Sequence, residues 1–434
     1  MKGEIVGMID RSSHSQKTMD ELMLRELSDK YLLPFFSGAT IEIDAVSSTS
    51  SDSTVAFINT QTIGFKVNRA DNYRLQFRRD QPFAQKRDPA RETRVIEAFV
   101  AVLERMSDEL KGPLKADLLS TFQRRVVAEA AAESGDGPML LEVIDQMAHW
   151  GTRLYEGAPI TSAIGIDPSA QGDNGLPLSK IARQDFCAVL SNGFDTMLLL
   201  DGKLNFAGHS VLAPATGVNG FCPWRHSAMA EWTNTGAKRI AVVLNRLGEI
   251  MIFRDGKLLF ARRSGDWNFL THDPIIRQMG VPKDEEIRKA IYETALDASF
   301  ARTGACIGVI ASGALSKAEE MIAEDDWLMQ RKSDKAKAIA LIVNGKKFHR
   351  LPRTLRQELV AIDGATVINH EGDVVAVGAI LKIKGGSTGG GRTAAAKQLA
   401  LLGLGVKVSQ DGGISGFRRD PSKKGAERTA FTVM

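Results

Sequence analysis

The chain has 434 residues, a formal net charge of +4 and 43% hydrophobic residues, enough apolar material for two or three domains and too modest a charge to imply nucleic acid by itself. No uncharged apolar run nears the roughly 18 residues of a membrane span, and Met1 to Arg11 lacks a secretory hydrophobic region, so a cytoplasmic protein with no membrane contact is expected. Three scattered cysteines, Cys187, Cys222 and Cys306, exclude a disulfide framework and fit a reducing compartment.

The first third, residues 1–156, reads as an α+β domain. Asp20 to Tyr31 carries apolar residues at helical spacing, and Thr40 to Val46, Thr54 to Asn59 and Thr62 to Val67 alternate like strands, with the serine-rich stretch Ser47 to Ser53 as a loop. Ala90 to Tyr155 is helical in three pieces, broken at Gly112-Pro113 and between Gly135 and Pro138. Between strands and helices, Arg74, Arg78, Arg79, Lys86, Arg87, Arg91 and Arg94 are interleaved with Tyr73, Phe77 and Phe83. Phosphates of nucleic acid are one partner for such a patch; a solvated face or a protein contact is the commoner one.

Residues 157–178, rich in Gly, Pro and small polar residues, read as a linker or long loop. Residues 179–283 then read as a β-rich hairpin unit, with Asp201-Gly202 and Asp255-Gly256 as turn signals. Arg262, Arg263 and Trp267 are candidates there for touching a phosphate and a base, although a hairpin end with a packing Trp is the more frequent arrangement. Cys222, His226 and His209 weakly suggest zinc ligation, but their spacing is wrong for a tetrahedral site, and neither zinc, flavin nor haem is expected.

The helix-like stretch Asp284 to Phe300 opens the last unit, residues 284–419, after which residues 420–434 read as a flexible basic tail. Two motifs here carry chemistry. Asp363-Gly364-Ala365 starts an apolar strand, and the run from Gly385 to Thr393 joins a strand, Val374 to Ile383, to a helix, Thr393 to Leu402. Glycines opening a helix leave backbone N–H groups and the positive end of the helix dipole free for phosphate, and Arg392 adds a planar cationic fork. The run also fits a P-loop with arginine for lysine, but it falls too near the C-terminus to be followed by the rest of such a sheet.

Four segments in order carry a family resemblance: Arg302-Thr303-Gly304-Ala305 before the strand Cys306 to Ile310; Asp363-Gly364-Ala365; Gly389 to Ala396; and Val408 to Ser415. From about residue 285 to about 419 the chain resembles the diadenylate cyclase domain, in which two ATP-bound protomers face each other and make cyclic di-AMP. The resemblance implies an α/β fold with a mixed sheet flanked by helices. It also implies an adenine-nucleotide or cyclic-dinucleotide site at Asp363, Gly364, Ala365, Gly389, Gly390, Gly391, Arg392, Thr393, Ser409, Gln410 and Asp411. Asp363 would be the catalytic carboxylate of an active member, Asp363 and Asp411 the ligands of a Mg²⁺ or Mn²⁺ ion, and a homo-oligomer the expected assembly.

Two departures bear on turnover. Active members of the family carry Arg-His-Arg where this chain has Arg392-Thr393-Ala394, and consecutive glutamates where it has Gln410-Asp411. An amide weakens a hard-cation site, and a missing cationic donor costs phosphoryl transfer orders of magnitude. The expectation is therefore a degenerate, sensor-type member in stress or anti-phage signalling that binds without efficient turnover, with an active divergent cyclase or nucleotidyltransferase as the alternative.

Overall fold

The computed structural model describes residues 21–36, 38–45, 55–67, 73–79, 83, 91–106, 115–132, 135–213, 221–382, 390–423 and 425–433. The fold is mixed α/β, with three main sheets in chain order. Among the described residues no helix is long and apolar enough to cross a membrane.

The first sheet joins β1 (Ala39–Ala45), β2 (Val55–Asn59), β3 (Thr62–Val67) and β4 (Tyr73–Arg79) in the order β1-β4-β3-β2, all antiparallel. Three helices follow, α1 (Arg91–Met106), α2 (Lys115–Ala131) and α3 (Gly137–Gly151). The basic segment thus contains the central strand β4. Its alternation buries Leu75 and Phe77 and exposes Arg74 and Arg78. Arg79 is buried, 2.8 Å from the Glu92 carboxylate and 4.1 Å above the Phe83 ring, and Arg94 reaches Glu129. Those two arginines are occupied by protein, and Phe77 and Phe83 by the core; Lys86 and Arg87 lie outside the described residues.

The reading of residues 157–178 as a linker is corrected. After a small hairpin, β5 (Leu154–Tyr155) and β6 (Ala158–Pro159), they supply β7 (Ser162–Ile166), fully buried in the middle of a seven-stranded sheet. The Gly and small residues that resemble linker composition are there because the strand is covered on both faces: a Cβ on Gly165 would come 2.6 Å from the Met197 sulfur. The other strands are β8 (Thr196–Leu200), β9 (Phe206–Val211), β10 (Ile240–Leu244), β11 (Ile250–Arg254), β12 (Lys257–Arg263) and β13 (Asp266–Phe269), in the order β13-β12-β11-β10-β7-β8-β9. Asp255-Gly256 turns β11 into β12 with positive φ at both residues, as its sequence signals.

Period-two alternation gives this sheet two apolar faces. Ile164, Ile166, Val242, Leu244, Ile250 and Ile252 belong to a core shared with α1 to α3, whereas Ala163, Ala241, Val243, Met251 and Phe253 belong to one shared with the C-terminal unit. The described residues before 157 therefore share their core with the middle sheet.

A helix ahead of the last sheet, α8 (Glu285–Ala301), lies in that second core and is buried on nearly every side, capped by Asp284, whose carboxylate accepts the Glu286 N–H. Four helices precede it in the middle unit, α4 (Leu178–Ile181), α5 (Asp185–Val189), α6 (Ser227–Asn234) and α7 (His272–Met279). The last sheet runs β16-β15-β14-β17-β18-β19, with β14 (Ala305–Ile310), β15 (Ala365–Asn369), β16 (Val374–Ala379), β17 (Gly403–Val408), β18 (Ile414–Arg419) and β19 (Glu427–Val433). Only β14 and β15 are parallel, and their crossover carries α9 (Leu315–Met321), α10 (Asp334–Val343) and α11 (Arg353–Ala361). The expected tail is corrected too: Phe431 and Val433 are buried and β19 pairs with β18 along its length.

Candidate nucleotide site

Register brings the sequence motifs to one end of the C-terminal sheet. Ala305, at the start of β14, pairs with Val408 at the end of β17, and Ala365, at the start of β15, pairs with Ala379 at the end of β16. The turns before β14 and β15 and after β16 and β17 therefore share an edge. Helix α12 (Gly391–Leu402) runs back over the sheet and enters β17 directly, which puts its N-terminus at that same edge. It can lie this close because β17 has no side chain where it passes: a Cβ on Gly405 would strike the Ala396 carbonyl.

Between these parts lies a cleft of about 440 Å³, walled by Asp363, Gly364, Ile380, Leu381, Gly391 and Arg392, with Cys306 at its base. The size is within the range of small-molecule sites. Arg392 Nη2 is 3.9 Å from Asp363 Oδ1, and its guanidinium lies against Gly304. The Asp363 side chain is 96% exposed, so its carboxylate is open to a ligand. Gly390 caps α12 in an extended, positive-φ conformation with no side-chain cap, and among the described residues the first-turn N–H groups lie beside Arg392. The Cys306 thiol is pushed up to about 12 by burial, with Arg392 opposing the shift, so it stays protonated. Its neighbours Ile307 and Val309 face α8 instead.

Gly364 has a structural duty that its sequence context does not show. Its φ is +105°, and a Cβ there would fall 2.5 Å from the Gly378 carbonyl carbon, because β15 and β16 cross a bulge at this point. Ala365 is buried and Thr393 sits in the first turn of α12. Gly389 and the preceding glycines lie outside the described residues.

Ser409, Gln410 and Asp411 share the edge but not the cleft. The Ser409 hydroxyl donates to Asp411 and to the Gly413 carbonyl, and the Asp411 carboxylate also takes the Gly413 N–H. That hydroxyl, with Lys407 and Arg302 nearby, holds Asp411 below the ordinary carboxylate range. β14 separates β17 from β15, and Asp411 does not line the cleft that Asp363 walls. Among the described residues no group of three or more His, Cys, Asp or Glu is arranged to hold a metal. Asp363 alone suits an ion that arrives with ligand phosphates.

Several side chains singled out in the sequence are engaged elsewhere. Arg263 is buried between Glu249 at 2.8 Å and the Ser299 hydroxyl at 2.7 Å, and packs over the Phe300 ring; Trp267 is core. His226 gives one nitrogen to the Gly193 carbonyl, His209 one to the Leu190 carbonyl, and Cys222 is buried with its thiol pushed up to about 12. What sequence reasoning missed is the apolar wall, Ile380 and Leu381 just past β16, whose only sequence signal is two apolar residues beyond the strand end.

No family model matches the chain and no curated protein is similar to it. Among solved structures it is similar to one described as a hypothetical membrane spanning protein from Bacillus cereus, with 12% identity over 39% of this chain and 90% of that one, at a TM-score of 0.23. A likeness at that level carries no inference for this chain.

Proposed function

We propose that the C-terminal unit is a binding module for an adenine nucleotide or cyclic dinucleotide, a degenerate relative of the diadenylate cyclase domain it resembles. The observation that carries the reading is the cleft itself: Arg392, Asp363 and a glycine-capped helix N-terminus meet over about 440 Å³ at one sheet edge. Arg392 and the α12 N–H groups would take phosphate oxygens. Ile380 and Leu381 would offer apolar surface to a base. A Mg²⁺ or Mn²⁺ ion brought in with the ligand would meet Asp363 and neutralise phosphate charge.

Weak or absent turnover is supported by the cationic donors this chain lacks. The alternative, an active divergent cyclase or nucleotidyltransferase, rests on the openness of Asp363. One experiment separates them. The full chain is titrated calorimetrically with ATP and with cyclic di-AMP, then incubated with ATP and Mg²⁺ or Mn²⁺ and its products weighed by mass spectrometry. Binding with little product is the expected result. Robust cyclic di-AMP formation that Asp363→Asn abolishes establishes the enzyme instead, and no binding of either nucleotide removes both readings.

A further inference from the structure

A second cleft, of about 260 Å³, opens between the middle sheet and the C-terminal unit, outside the site above. It is lined by Arg225, beside α6, Arg246, in the β10–β11 turn, and Arg302, at the end of α8. Its carboxylates are already spent. Asp297, the one acid on its wall, is gripped by both ends of the Arg353 guanidinium at 2.6 and 2.8 Å and accepts the Trp224 N–H. Glu249 behind Arg302 answers to Arg263 as well, and those partners outweigh burial and hold its carboxyl below the usual range. Arg225 and Arg246 are largely exposed and have no protein partner among the described residues.

Arginines gathered on one concave wall, two of them without a protein partner among the described residues, favour an anionic ligand there. The remaining wall says what else that ligand carries. Trp224 and Phe194 flank the opening, Phe194 stacking on the buried His226 at 5.2 Å, and Gln357 supplies an amide. We propose that this cleft is a second ligand site, for a small phosphate monoester bearing a flat ring, the phosphate taken by Arg225, Arg246 and Arg302 and the ring by Trp224 and Phe194. The cleft has room for a small ligand of this kind, and its arginines are distinct from Arg392 of the other cleft. Arg225 and Arg246 have no fold-bearing contacts, so they can be changed without disturbing the core.

The full chain is titrated calorimetrically with adenosine 5′-monophosphate, with adenosine and with inorganic phosphate. The expected order of affinity is the monophosphate above both halves. The double variant Arg225→Gln, Arg246→Gln is expected to bind the monophosphate at least roughly 100-fold more weakly, two charge-assisted contacts being lost, and Trp224→Leu to weaken the monophosphate but not inorganic phosphate. Arg392→Gln is expected to leave this binding unchanged. Failure of the monophosphate to bind the wild-type chain, equal binding of adenosine, full affinity in the double variant or loss of the binding in Arg392→Gln each overturns the assignment; the last would return the ligand to the larger cleft and leave the nucleotide-module reading standing.

Discussion

Replacing Arg353 by methionine tests how the two halves of the molecule are held together. Arg353 and Asp297 expose 7% and 1% of their side chains, and Arg353 also donates to the Cys222 carbonyl at 2.5 Å, so one guanidinium ties α11 to α8 and to the segment after β9. Removing it strands a buried carboxylate with the Trp224 N–H as its remaining donor. A buried ion pair broken from one side costs about 3 to 5 kcal/mol. Protonation of Asp297 sets a ceiling, because neutralising an ordinary carboxyl at pH 7 costs about 4 kcal/mol. Burial already pushes the Asp297 carboxyl up, against the pull of Arg353, so that escape is within reach. The deficit of Arg353→Met relative to wild type is thus expected near 3 to 4 kcal/mol at pH 7 and near 1.5 kcal/mol at pH 5, where a proton is about 3 kcal/mol cheaper. Denaturant titrations of the two proteins at both pH values measure it, with Asp297→Asn, Arg353→Met as the variant that recovers part of the loss at pH 7. A deficit below about 1 kcal/mol at pH 7, or one that does not shrink on acidification, refutes the argument.

Arg392→Gln is expected to weaken ATP or cyclic di-AMP binding by roughly 10- to 100-fold in calorimetry, the worth of one charge-assisted contact, while the melting temperature stays put because its pair with the exposed Asp363 contributes little. Gly364→Ala is expected to lose about 2 to 4 kcal/mol in denaturant titration, combining a left-handed backbone penalty with a clash on the Gly378 backbone. Burial holds the His226 imidazole down at about 4, so the unfolded chain takes up that proton first; stability present above pH 6.5 is lost as pH falls toward 4, by up to about 3 kcal/mol. Denaturant titrations of wild type and His226→Gln across that window measure it, and the variant should lose less on acidification.

What the sequence made legible follows how local each signal is. Asp255-Gly256 needs only its own two positive φ angles to define a turn, so it reads correctly in isolation; the helix-like stretch Asp284 to Phe300 reads correctly as α8, and its capping by Asp284 emerges in the structure. Register carries the turns that hold the ordered segments of the last unit to one sheet edge. By contrast, β7 looks like linker because Gly165 faces Met197 and Trp232 across the sheet, a requirement that no neighbour in sequence announces. β19 looks like tail because it follows Pro421 and a basic stretch, and only its pairing with β18 gives it a place. Asp411 has the residue type of a metal ligand, and the hydroxyl that engages one of its oxygens, Ser409, is only two residues away.

The arrangement of buried ions also constrains how a signal could pass through this fold. Glu249 in the middle sheet holds Arg263 and Arg302, and Arg263 reaches past Ser299 to the Gly412 carbonyl, so the middle unit grips the turn after β17 through α8. Two residues beyond Arg302, Gly304 supports the guanidinium of Arg392. The segment Arg302-Thr303-Gly304, with positive φ at both ends, therefore belongs to both clefts: its arginine lines one and its glycine backs the other. A ligand that draws Arg302 away from Glu249 and shifts this turn would also shift the backbone on which Arg392 rests, and affinities linked this way change reciprocally. The check is titration of cyclic di-AMP in the presence and absence of saturating adenosine 5′-monophosphate, with the reverse experiment as its control. Equal factors in both directions, lost in Arg302→Gln, are the expected outcome, and independent binding shows that the shared turn is rigid.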